Sequence, residues 1–167
     1  MYGVSVVPET IEGSSSALLR QPYPLFLVGS RAGDEMNLMT ASWGTQCSFE
    51  PRLYSIFIEE DSHTRKLIDA GGAFTVCLLP SGIEDVVSQY TRPAETVGGK
   101  LGDHAYFEAE QTGCPVYDGS VAWFECRVTE ARPTGDHIQY IGEVIGGDTP
   151  TLDPAWTVQD IGWEYGG

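Results

Sequence analysis

The sequence predicts a mainly β fold with short helices, folded as a small barrel. Three observations predict it. Short runs rich in β-branched and aromatic residues recur along the chain, each bounded by Gly, Pro or Asp. Two brief stretches carry helical spacing. No internal repeat and no linker interrupts the pattern, and 167 residues suit one core. Residues 1–167 therefore read as one domain, with 1–22 as an N-terminal extension and 146–167 as a C-terminal tail.

In chain order, Gly13-Ser14-Ser15-Ser16 is flexible punctuation, and Ala17 to Arg20 forms a single turn. Pro22 and Pro24 hold Tyr23 extended before the first strand, Leu25 to Ser30, whose apolar run suits burial on both faces. Gly33-Asp34 marks a hairpin turn into a strand over Thr40–Trp43. Leu53 to Glu59 is the next strand. Ser62 is a good N-cap for a helix running to about Ala70, which buries Leu67 and Ile68 and stops at Gly71-Gly72. Phe74 to Leu79 is an apolar strand. Ile83, Val86, Val87 and Tyr90 fall at i, i+3, i+4 and i+7, the stripe of a second helix. From Arg92 to Pro115 periodicity dissolves, apart from a short helix near Ala105–Glu110. Val121 to Thr129 is a long strand with Ala122, Phe124, Cys126 and Val128 on one face, and Gly135-Asp136 turns the chain into a strand over Ile138–Ile145.

Composition narrows the partners. A formal charge of −15, from 24 acids against 9 bases, repels polyphosphate, so nucleic acid and anionic membrane surfaces are excluded as partners. Cys47, Cys77, Cys114 and Cys126 include no C-x-x-C pair, and His63, His104 and His137 are far apart, so neither a structural metal nor a disulfide is expected. MYGVSVVPE has neither a basic n-region nor an apolar h-region, and no apolar run approaches membrane-spanning length, so the expected compartment is the cytoplasm. No G-x-G-x-x-G follows a strand, which excludes a Rossmann nucleotide site.

The stretch Asn37 to Pro51, NLMTASWGTQCSFEP, stands out. Met39, Ala41 and Trp43 share one face of an extended chain, and Thr40, Ser42 and Gly44 the other. Alternate hydroxyls beside small residues let a flat polar molecule approach the backbone. The same pattern suits an edge strand whose hydroxyls face water. N-x-M-T-x-S-W followed by F-x-P, here Asn37, Met39, Thr40, Ser42, Trp43, Phe49 and Pro51, resembles the flavin-binding segment of the flavin reductase-like proteins. A second match is Gly135-Asp136-His137 ahead of Gly142-Glu143-Val144, and the resemblance covers roughly Tyr23 to Val144.

This resemblance implies a split β-barrel of Greek-key type that binds FMN, with FAD as the alternative flavin, in a homodimer. It implies hydride transfer from NAD(P)H to flavin and delivery of reduced flavin or electrons to a partner monooxygenase or other acceptor. The alternatives are a flavoredoxin-type electron carrier without nicotinamide turnover, and a flavin-binding or interaction module without catalysis. The ring would lie along Asn37, Thr40, Ala41, Ser42 and Trp43 toward Phe49, although Trp43 and Phe49 also suit ordinary packing.

The first turn of the Ser62 helix carries His63, Arg65 and Lys66, where positive charge opposes the helix dipole and calls for an anion. Acidic neighbours Glu59, Glu60 and Asp61 can supply it. The resemblance instead assigns the FMN phosphate to Ser62, Thr64 and Arg65. It also links His137 to the nicotinamide as the catalytic residue, against a turn histidine bonded to Asp136. The tail TLDPAWTVQDIGWEYGG and the segment Arg92–Pro115 depart from the family's pattern.

Overall fold

The architecture follows from the order in which seven antiparallel strands meet in one sheet. They are β1 (Phe26–Ala32), β2 (Glu35–Ala41), β3 (Gly44–Ser48), β4 (Leu53–Glu59), β5 (Ala73–Leu78), β10 (Ala122–Thr134) and β11 (His137–Asp148), in the order β2-β1-β5-β10-β11-β4-β3. This computed structural model describes residues 17–163. The Gly13–Ser16 punctuation, Tyr165 and the final glycines lie outside the described residues.

The two edge strands, β2 and β3, are neighbours in sequence, separated only by Ser42 and Trp43. Three Cα steps span at most about 11 Å, whereas a flat sheet of this order would hold its edges about 29 Å apart. The sheet must curl until its edges nearly meet, as a barrel that is split and not closed. Ser42 and Trp43 bridge the split, and the Trp43 carbonyl accepts from Phe57 N–H at 3.1 Å. The predicted strand over Thr40–Trp43 is thus corrected: extended pairing with β1 ends at Ala41, and Gly44 opens pairing with β4. One uninterrupted strand cannot serve both edges.

Alternation along β1 and β5 divides the core. Phe26, Val28, Phe74 and Val76 point into the barrel with Ile56, Ile58, Ile68, Cys126, Ile138 and Tyr140. Leu25, Leu27, Cys77 and Leu79 point outward to a second cluster with Leu38, Tyr90, Leu101, Val116, Trp156 and Val158. Burial on both faces explains the continuous apolar runs of these strands.

Helix α1 (His63–Gly71) packs on β1 and begins as expected, with Ser62 Oγ accepting from Arg65 N–H at 3.1 Å. Gly72, at φ 68°, caps it by donating to Ile68 O. At Gly71 a Cβ would lie 1.9 Å from Arg31 O, so only glycine permits this approach to β1. Helix α2 (Glu84–Gln89) buries Val86 and Val87. Ala17–Arg20 forms the predicted turn, with Arg20 N–H donating to Ala17 O.

The segment Arg92–Pro115 departs from expectation. It contributes a second sheet of β6 (Thr96–Val97), β7 (Lys100–Leu101), β8 (His104–Glu108) and, just beyond, β9 (Pro115–Tyr117). The helix expected near Ala105–Glu110 is strand β8, because pairing with β9 through Tyr106–Tyr117 and Phe107–Val116 overrides local preference. This sheet is tied to the barrel by Thr75 Oγ1 donating to Pro115 O at 2.6 Å and by Arg31 reaching Glu108 at 2.6 Å. The hairpin of β10 and β11 turns at Gly135-Asp136 as predicted. It runs beyond the predicted ends, to Thr134 and Asp148, with bulges near Glu125 and Val128.

Candidate functional site

The split in the barrel opens into a cavity of about 210 Å³. One wall is Met39, Thr40, Ala41, Ser42 and Trp43, the end of β2 and the bridge to β3. Phe57 and Glu59 of β4 and His137 of β11 form the second wall. Leu25, Thr91, Val158 and Trp163 complete the lining.

Polar groups on the first wall are arranged unequally. Thr40 is fixed twice, its N–H donating to Tyr90 O at 2.9 Å and its hydroxyl to Val87 O at 2.7 Å. The hydroxyl proton is therefore directed at α2, and the oxygen lone pairs remain as acceptors. Ser42 is 5% exposed, and its Oγ has no hydrogen-bond partner. A desolvated hydroxyl left unpaired is costly, and a ligand in the cavity would satisfy it.

His137 begins β11 directly opposite Glu59 in register and is 7% exposed. Its ring centroid lies 4.7 Å from that of Trp43, inclined by 33°. Nδ1 sits 2.6 Å from Asp136 Oδ1. The hydrogen bond from His137, followed by the imidazole's charge, holds the Asp136 carboxyl below its ordinary range. A carboxylate can only accept, so Nδ1 carries the proton in this pair and Nε2 is the other polar atom of the ring. The turn-histidine contact with Asp136 and the place in the cavity are thus both features of one residue.

Of the predicted site residues, the structure brings together Thr40, Ala41, Ser42, Trp43 and His137. Asn37 lies 2% exposed behind the wall, its Nδ2 donating to Thr64 Oγ1 at 3.0 Å while its Oδ1 accepts from Ala94 N–H at 3.3 Å. It joins β2 to α1 and to the following loop and does not line the cavity. Phe49 is 87% exposed in the turn between β3 and β4 and walls nothing within this chain. Packing within one chain, the other expectation for Phe49, is corrected by the same exposure.

At the start of α1 the side chains already have partners within the chain. Ser62 Oγ serves as the cap, Thr64 is buried, and Arg65 Nε lies 2.8 Å from Asp69 Oδ2 one turn along. Asp69 also accepts from the Tyr140 hydroxyl at 2.5 Å. His63 Nε2 is 3.3 Å from Glu35. An anion beside Arg65 is thus Asp69, one turn along the same helix. None of Ser62, Thr64 and Arg65 lines the cavity, but α1 begins four residues after Glu59, which does.

Sequence reasoning missed Leu25, Phe57, Glu59, Thr91, Val158 and Trp163 as lining residues. Glu59 and Phe57 were legible as strand residues, and register opposite His137 is what brings Glu59 to the site. The lining tail residues carry no periodic signal.

The three buried cysteines, Cys77, Cys114 and Cys126, lie away from the cavity, and Cys47 is exposed. Burial pushes the Cys77 thiol up to about 11 and the Cys126 thiol up to about 12, so neither is a nucleophile near neutrality. Among the described residues no helix is long and apolar enough to cross a membrane.

Comparison with known proteins adds the context. A family described as flavin reductase like domain matches residues 18–158. The reductase component of 4-hydroxyphenylacetate 3-monooxygenase from Thermus thermophilus is 30% identical over 146 residues, covering 84% of this chain and 89% of that protein. The solved NADH:FAD oxidoreductase of Streptomyces globisporus superposes with a TM-score of 0.73 at 25% identity, over 89% of each chain. Other relatives are longer: a putative diflavin flavoprotein of Nostoc sp. is 26% identical over 131 residues, 78% of this chain and 23% of its own length. The chain spans 20% to 35% of the length of that relative and three others it matches.

Proposed function

The chain belongs to the flavin reductase like family, and we propose that it binds FMN and transfers a hydride to it from NAD(P)H. Reduced flavin or its electrons then pass to a partner, for which the kinship to a monooxygenase reductase component suggests a monooxygenase. The observation that carries this reading is the cavity lined together by Trp43, His137 and Ser42, whose Oγ is buried and unpartnered. Bound flavin would supply the hydride acceptor at N5.

The residues divide the work. Thr40 and Ser42 hold the polar edge of the ring, Thr40 as acceptor and Ser42 as donor or acceptor. Met39 and Phe57 supply apolar wall. His137, fixed by Asp136, presents a polar nitrogen that can hold a proton as a nicotinamide stacks in the site. The burial of Ser42 and His137 keeps water from the reacting atoms. The start of α1 takes the phosphate: Arg65 uses Nε toward Asp69 and keeps further N–H donors on the same guanidinium. FAD would use the same ring contacts.

We further propose a homodimer. Phe49, 87% exposed, is a large apolar side chain of the kind that interfaces cover. The cavity of about 210 Å³ is below the range of about 300–1,000 Å³ usual for such ligands, so a second copy would complete the site.

The test is a visible absorption spectrum of the protein with FMN, read before and after anaerobic NADH and then NADPH. Bleaching by either supports a reductase and names the donor. Flavin that stays oxidised with both favours the electron carrier, and failure to take up flavin overturns the proposal.

A further inference from the structure

The C-terminal segment supplies a wall of the cavity, although it lacks the family's closing pattern. It is pinned to the core at Trp156, whose N–H donates to Leu79 O at 2.8 Å, and at Val158, whose N–H donates to Tyr23 O at 3.0 Å. Both side chains are buried. Beyond Val158 the chain turns back on itself. Asp160 Oδ2 accepts from Thr157 N–H at 2.9 Å and from the Thr157 hydroxyl at 2.8 Å, and Trp163 N–H returns to Val158 O at 3.3 Å. These turns set Trp163 at the cavity.

We propose that Trp163 is a specificity-determining residue of this site, its indole covering the flat fused ring bound there. The inference rests on the reading that a flavin occupies the cavity. Three observations carry it. The end of β2 and the bridge supply the hydroxyls of Thr40 and Ser42, and the tail adds Val158 and the indole of Trp163 to the lining of the same cavity. Trp163 is 40% exposed, against 5% for Ser42 and 7% for His137, so it stands at the mouth. A large aromatic held half in water gains burial when a ring stacks beneath it, and indole stacks well on fused heteroaromatics.

The experiment compares wild type, Trp163→Ala and Trp163→Phe for binding of FMN and of lumiflavin, the ring without ribityl phosphate, together with melting temperature. The expected result is that Trp163→Ala weakens both ligands by about fivefold, that Trp163→Phe restores most of the affinity, and that the apo protein melts as wild type. Three results would overturn the proposal: unchanged binding in Trp163→Ala, loss for FMN but not lumiflavin, or a lowered melting temperature with no rescue by Phe. A wild type that binds neither ligand overturns the flavin reading and this inference together. That outcome is distinct from a wild type that binds while Trp163→Ala binds equally well.

Discussion

The bridge Thr40–Trp43 and the start of α1 are both rich in hydroxyls, but their polar groups stand in opposite states. On this stretch Ser42 Oγ is buried with no partner, and the Thr40 hydroxyl donates to Val87 O. At α1, Ser62 caps the helix, Thr64 accepts from Asn37 and Arg65 leans on Asp69. The difference teaches that hydroxyls next to a break in strand pairing can be left without a partner, whereas those at a capped helix are used by the fold. Pairing stops between Ala41 and Gly44, where β2 gives way to β3 at the barrel split. A phosphate at α1 would therefore have to use donors that the fold leaves over, whereas a ring against the bridge would meet one hydroxyl, that of Ser42, with no partner in the fold.

Substitutions can break or sharpen this contrast. The largest effect is expected at His137: His137→Ala should keep flavin bound while slowing hydride transfer by about 100-fold, read by anaerobic stopped flow. Unchanged turnover would leave His137 as a turn residue for Asp136. Next, Arg65→Glu should weaken FMN by about 30-fold and leave riboflavin nearly unchanged, measured by flavin fluorescence titration. Equal loss for both ligands would mean that Arg65 does not read phosphate.

Asn37→Ala tests the strut between the two regions. It leaves Thr64 and Ala94 N–H without their partner and should cost about 1–3 kcal/mol, read as a lower urea midpoint with flavin stoichiometry retained. The smallest effect is expected at Ser42. Ser42→Ala should leave stability equal or slightly higher, because an unpaired hydroxyl is removed, yet weaken FMN and riboflavin alike by about fivefold. A drop in stability would show that the hydroxyl serves the fold.

Most strands were legible because β1 and β5 are buried on both faces and read as continuous apolar runs, while β10 and β11 flank an unmistakable Gly-Asp turn. The second sheet was harder. Its strands are two to five residues long, and β6 and β8 are largely exposed, so pairing and not periodicity defines them. One signal was present in Gly98-Gly99, both at positive φ between β6 and β7, as a two-residue hairpin requires. At the site, the motif residues from Thr40 to Trp43 and His137 converge as the letters suggested. Glu59 enters through strand register and Trp163 through a chain of turns, neither of which leaves a pattern in sequence. Asn37 shows the converse: a motif residue whose part in this fold is to brace α1.

The central claim is that a flavin ring lies in the barrel split, against the bridge between β2 and β3. A crystal structure of the protein with FMN tests it most directly. The account predicts the ring along Thr40–Trp43, with Ser42 Oγ in hydrogen-bond contact and His137 beside it. A ring seated elsewhere, such as the cleft bordered by Arg52, Trp123 and Asp148, with Ser42 Oγ still unpaired, would contradict it.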